Sequence, residues 1–254
     1  MTEYIVKQRM ADHHPFPGEG YYEEEVLKGA IEGIRTSYGF MGDGKRAVLQ
    51  PVENEISIFL LIHGKGRIDY GLIRFEFHEI TVFVPEVNFS FDLHALHSDV
   101  KFLAIRMRLF EADLSFLENN KAVYPYFLSY ADCIPYKEEI KSEKSMNRML
   151  VPQNIVPRLS IGSVQTKGPD VVAAHEHPML EQLFYGLEEN HCLVHANEHE
   201  ILFEDSTLLH IPLGSKHSVH VTKDHQLHYL WIDFFRNQED MSYITESHRF
   251  QDTF

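Results

Sequence analysis

The stretch His175-Glu176-His177-Pro178-Met179-Leu180-Glu181 decides how this chain is read. Side chains two residues apart on a β-strand point to the same face, so His175 and His177 can converge on one point. Pro178 has no N–H to give a sheet ladder and suits a strand end; Glu181 then follows after a short turn. Further on, Pro212-Leu213-Gly214-Ser215-Lys216-His217 delivers a third imidazole after a Pro-x-Gly turn, on a separate strand. Three imidazoles and one carboxylate suit a single divalent transition metal, with Fe, Mn, Ni, Zn and Co all compatible with this donor set. In an octahedral shell they would leave two positions open.

The spacing H-x-H-x3-E, followed by P-x-G-x2-H, resembles the two sequence motifs of the cupin superfamily. The resemblance implies a small antiparallel β-barrel of jelly-roll type, with His175, His177, Glu181 and His217 as metal ligands. The departures concern turns. Glu188-Glu189-Asn190 stands where the family's first motif closes on a glycine, with Gly186 slightly early, and Glu204-Asp205 replaces the usual Gly-Asp opening of the second.

The pattern occurs twice in outline. Glu55 to Leu109 and Glu181 to Phe235 each begin with Glu and an aromatic-aliphatic strand. Each runs into a Pro turn, Thr81-Val82-Phe83-Val84-Pro85 against Leu208-Leu209-His210-Ile211-Pro212, and closes on a long apolar strand. Such self-similarity marks an internal repeat. The expected fold is all-β: two cupin-type barrels joined by a partly helical linker, a bicupin. The expected divisions are a first barrel over 1–112, a linker over 113–156, a metal-binding barrel over 157–236 and a tail over 237–254. In the first copy the ligand positions fall near Leu49, Pro51 and Ser90, and only Glu55 remains, so a metal is expected in the second barrel alone. The segment His63-Gly64-Lys65-Gly66 reads as a hairpin turn.

Strands over Val26–Phe40 and Arg158–Lys167 would complete the barrels. Helices are expected over Phe110–Asn120 and over Lys137–Leu150, whose mixed charges lie between Pro135 and Pro152. The tail is a short helix or a loose end.

Of the 254 residues, 44% are hydrophobic and 12% aromatic, ample for a packed core. The net charge of −15 argues against a nucleic-acid surface, since phosphate binding needs clustered Lys and Arg, so nucleic acid is not an expected partner. Nor is a membrane, since no stretch reaches the roughly 18 apolar residues of a spanning helix. The run Glu23-Glu24-Glu25 reads as a solvated face. The first residues lack the apolar core of a signal peptide, and Cys133 and Cys192 make no disulfide framework; a cytoplasmic protein is expected. The partner is a small molecule, and a homodimer through edge strands is the assembly the resemblance suggests.

The resemblance implies dioxygenase, isomerase, decarboxylase or lyase chemistry on a small organic molecule; it equally covers non-catalytic ligand-binding or structural bicupins, and fold alone does not choose. Candidates for an acid or base beside the metal are Tyr185, His210, His228, Tyr229 and Asp233; Tyr229, Trp231 and Phe235 also read as core. His191, His195 and His199 fall on a strand-turn-strand segment, Leu187–Phe203, and are expected to face solvent. The strand His228–Phe235 resembles the closing strand of AraC-type sugar-sensing barrels, but no helix-turn-helix pattern accompanies it, so a DNA-binding regulator is not expected.

Overall fold

The computed structural model describes residues 5–9, 20–138 and 140–241, and the backbone of 250–251. The chain divides into two compact units, one of His14–Cys133 and one of Met1–His13 with Ile134–Phe254.

A first strand, β1 (Val6–Arg9), belongs to the second unit. The first unit holds β2 (Tyr21–Val26), β3 (Ile34–Met41), β4 (Arg46–Leu49), β5 (Glu55–His63), β6 (Gly66–Tyr70), β7 (Ile73–Phe77), β8 (Thr81–Val84), β9 (Phe91–Ala95), β10 (Val100–Arg108), α1 (Glu111–Asn119) and β11 (Tyr126–Ser129). The second continues with β12 (Pro135–Glu138), β13 (Met146–Val156), β14 (Leu159–Lys167), β15 (Asp170–His175), β16 (Leu180–Gly186), β17 (His191–Ala196), β18 (His199–Glu204), β19 (Thr207–Ile211), β20 (His217–Val221), β21 (Gln226–Phe235) and β22 (Phe250–Gln251).

Each unit is a pair of antiparallel sheets with the same internal order. In the first they run β11-β8-β5-β10-β3-β2 and β4-β9-β6-β7. In the second they run β1-β19-β16-β21-β14-β13-β12-β22 and β15-β20-β17-β18. The core lies between the sheets, because alternate residues of each strand face inward. In the second unit Phe184, Leu209 and Tyr229 of the large sheet meet Val194, Phe203 and Val219 of the small one. In the first the same space is filled by rings, Phe59, Phe77, Phe83, Phe91 and Phe102 among them.

One packing device recurs. Gly39 on β3 lies opposite Phe102 on β10, and Gly162 on β14 lies opposite Trp231 on β21. A Cβ on Gly39 would stand 2.0 Å from the Phe102 ring, and one on Gly162 2.2 Å from Trp231. Glycine therefore makes room for a large ring lying across its neighbour strand. Gly162→Ala is expected to cost about 1–3 kcal/mol through overpacking, read as a lower midpoint in thermal unfolding.

The helix at Phe110–Asn120 is present as α1, whose first turn is held by the Asp113 carboxylate accepting from the Phe110 N–H at 2.8 Å. The helix expected over Lys137–Leu150 is not: β12 and β13 occupy its ends, and β13 pairs with β14. Charged helix formers give only a weak preference, which sheet pairing overrides. The run Glu23–Glu25 is likewise not a solvated face throughout. Glu23 is a half-buried counter-ion to Arg106, two guanidinium nitrogens reaching its two carboxylate oxygens, and Arg106 itself is buried. Burial would raise the Glu23 carboxyl, but Arg106 outweighs it and holds the pKa below the usual range. The tail reading over 237–254 falls largely outside the described residues; within them are a tight turn at Gln238–Asp240 and β22. No helix among the described residues is long and apolar enough to cross a membrane.

Candidate metal centre

His175 closes β15 and His217 opens β20, and the two residues are paired across the ladder, with a bulge between Val172 and His175. His177 lies just past the end of β15. Its carbonyl accepts from the Gly214 N–H at 3.2 Å, tying its loop to the Pro212–Ser215 turn. That turn closes with Ser215 N–H on the Pro212 carbonyl at 3.1 Å, and Gly214 adopts a φ of +69°, a conformation that favours glycine. The Pro-x-Gly signal in the sequence is thus the device that sets His217 beside His177.

The three imidazoles converge. One ring nitrogen from each of His175, His177 and His217 lies within 4.8 Å of the others, the only such group of His, Cys, Asp or Glu among the described residues. Ring centroids are 4.3 Å apart for His175 and His217, 4.9 Å for His175 and His177, and 5.6 Å for His177 and His217. Nδ1 of His175 donates to the Ala173 carbonyl at 2.7 Å, and Nδ1 of His217 to the Ser215 carbonyl at 3.0 Å. A carbonyl can only accept, so both rings hold their proton on Nδ1 and present the Nε2 lone pair. Burial, helped by nearby Lys141, pushes the pKa of His175 down, although its bond to Ala173 works the other way. The ring thus stays neutral, as ligation requires.

Glu181 does not join them. Its Oε2 lies 2.8 Å from His210 Nε2, so these two predicted residues engage each other instead. The cause is strand parity. Successive residues of β16 face opposite ways, and it is Gln182, with Phe184, that shares the cavity with the histidines. One residue of register decides which side chain faces inward.

The cavity is small, about 40 Å³, and lies entirely in the second unit. Its wall includes Gln182, Phe184, Tyr229, Trp231, Asp233, Glu138 and Lys141. Gln182 Nε2 donates to Asp233 Oδ1 at 2.8 Å. Burial raises the Asp233 carboxyl to about 7, only partly countered by that hydrogen bond. Lys141 Nζ lies 2.6 Å from Glu138 Oε2, and both side chains are buried. Burial also holds the Tyr229 hydroxyl well above its usual pKa, so it remains a proton donor.

Of the candidate acids and bases, Tyr229 and Asp233 line the cavity, whereas Tyr185, His210 and His228 do not. His228 is driven down to about 4 by burial. Phe235 packs with Leu180 and Met241. His191 and His195 sit on the face of β17 opposite the buried Cys192, Val194 and Ala196, and His199 is exposed. Sequence reasoning missed Gln182, Glu138 and Lys141. Strand alternation puts Gln182 on one face of β16 with Phe184 but does not say which face turns inward, and the other two carried no signal. In the first unit Glu55 is held by Arg35 at 2.6 Å, and the hollow beside it, lined by Leu49, Pro51 and Glu55 among others, is only about 10 Å³.

No family model matches this chain, and no curated protein does. Solved structures do. An oxalate decarboxylase from Lactobacillus farciminis, in complex with formate, superposes with a TM-score of 0.72 at 15% identity, over 94% of this chain and 88% of that one. A protein from Pseudomonas aeruginosa described as glyoxylate-induced gives 0.72 at 12% identity, over 93% and 90%. A mutant of the Bacillus subtilis oxalate decarboxylase gives 0.71 at 14% identity, over 91% and 77%. At such identities the likeness establishes the fold, that of cupin jelly-roll proteins.

Proposed function

We propose that the second unit is a metal-dependent enzyme acting on a small organic molecule, with one divalent transition-metal ion held by His175, His177 and His217. The observation that carries this is the convergence of three imidazoles, two of them locked by backbone carbonyls, on one small cavity. When bound, such an ion would act as a Lewis acid on a substrate oxygen. The chain's own groups supply the rest. Asp233 stands between its protonated and ionised forms near neutral pH and can take up or release a proton. Tyr229 offers a hydroxyl that stays protonated. Lys141 brings a positive charge to the wall, where a substrate carboxylate would compete with Glu138 for it. Phe184 and Trp231 limit the cavity to a compact substrate. The neighbours are named for oxalate and glyoxylate, which makes small oxo- and dicarboxylic acids the first compounds to test; decarboxylation leads, with oxidation, isomerisation and lyase chemistry behind it.

The test is to load purified protein with Mn, Fe, Co, Ni or Zn, measure metal per chain, and assay these acids. One ion per chain and turnover are expected. His175→Ala should remove both, while His195→Ala should change neither, since His195 points away from the cavity toward Glu200 and His220. Metal uptake without turnover of any such acid would favour a ligand-binding role; no uptake would overturn the metal site itself.

A further inference from the structure

We infer that Gln182 supplies the fourth metal donor through its side-chain carbonyl oxygen, giving a shell of three imidazoles and one amide with no formal charge, which takes an anionic oxygen ligand in its open positions. This rests on the metal reading above.

Gln182 is 6% exposed and lines the same cavity as His175, His177 and His217. Its amide has two ends, and one is already committed: Nε2 donates to Asp233 Oδ1 at 2.8 Å. With Asp233 ionised its oxygens only accept, so the amide nitrogen faces Asp233 and the carbonyl oxygen is the free end. The other end, Oε1, is buried and has no hydrogen-bond partner among the described residues. A buried acceptor left bare loses its water without replacement. The side chain that carries this oxygen lines the same cavity as three imidazoles, and a hard or borderline cation held there is the partner that would satisfy it. Glu181, the acidic residue next to it, faces the other side of β16 and is engaged by His210.

The charge follows from the donor set. Neutral imidazoles and an amide leave a divalent ion with its full two charges. Of the two carboxyls that line the cavity, Asp233 is engaged by the Gln182 amide and Glu138 is matched by Lys141, and neither joins the three-histidine group. Uncompensated charge among mostly buried donors favours an anionic ligand. A carboxylate at the same place would cancel part of that charge and weaken the demand.

The experiment uses full-length protein loaded with Co(II), whose visible spectrum reports its donors, with formate and azide as anion probes. Gln182→Leu removes the donor while keeping the volume; it should weaken cobalt binding by roughly tenfold to a hundredfold or more and alter the spectrum. Gln182→Glu should keep cobalt but weaken formate and azide by at least about tenfold. Glu181→Gln should leave cobalt affinity, spectrum and anion binding unchanged. Thermal unfolding of each metal-free variant checks that it is folded, and if Gln182→Leu does not fold, the Gln182→Glu spectrum and anion titration decide alone. Unchanged cobalt affinity and spectrum in folded Gln182→Leu, or unchanged anion binding in Gln182→Glu, would overturn the inference while leaving the three-histidine site standing. Wild-type protein that takes up no cobalt would overturn the metal reading, and this inference with it.

Discussion

His217→Ala is expected to remove most of the thermal stabilisation that added metal gives the wild-type protein. His217 is 2% exposed, its ring is oriented by the Ser215 carbonyl, and it lies across the ladder from His175. Loss of a partner that only orients a ligand already costs about 10–100-fold in metal affinity, so loss of the ligand itself should cost at least about a hundredfold. At a metal concentration 100 times the wild-type dissociation constant, binding stabilises the folded state by about 2.7 kcal/mol; a hundredfold weaker site retains only about 0.4 kcal/mol. The measurement is the unfolding midpoint with and without metal. A variant that keeps the full metal-induced shift would show that the ion sits elsewhere.

How much of this was legible in the sequence depends on strand parity. The three histidines were, because H-x-H and P-x-G each fix a local geometry regardless of what surrounds them. The doubled fold was, because the repeat from Glu55 and from Glu181 preserves the alternation of strands and turns, and the strand orders of the two units match. The fourth position was not. Between His177 and β16 lies the turn at Pro178 and Met179, and its length sets whether residue 181 or 182 faces inward. Spacing alone carries no information on that parity, and donor chemistry alone favours the carboxylate over its amide neighbour. Glu138 and Lys141 were hidden for a different reason: in a run of alternating charges, a buried ion pair and a solvated helix face have the same composition. Arg106 hid likewise, since its counter-ion Glu23 lies far away in sequence and reads as one of three surface acids.

Asp233→Asn is expected to make the metal-free protein more stable at pH 8 than the wild type. Asp233 is buried, and its carboxyl is raised from an ordinary value near 3.8 to about 7, chiefly by burial. The sign follows from proton counts. Between those two values the folded state holds a proton that the unfolded state has released, so wild-type stability falls as pH rises through this window. The loss is absent below the unfolded pKa and complete above the folded one. Each pH unit crossed in that window removes about 1.4 kcal/mol, so the full loss is a few kcal/mol, at most about 4. Asn keeps an acceptor for the Gln182 amide but never ionises, so its advantage should grow from about pH 4 to about pH 7 and then level off. Denaturant unfolding of both proteins across that range measures it; a difference that is flat with pH, or that favours the wild type at pH 8, would contradict the raised carboxyl. The stability cost bears on function, because a buried group that destabilises the fold persists where its chemistry is used. Asp233 shares its cavity with the three histidines and grips the amide of Gln182. The same substitution that steadies the metal-free fold should therefore remove the proton-exchanging group from the site, and turnover should fall while stability rises.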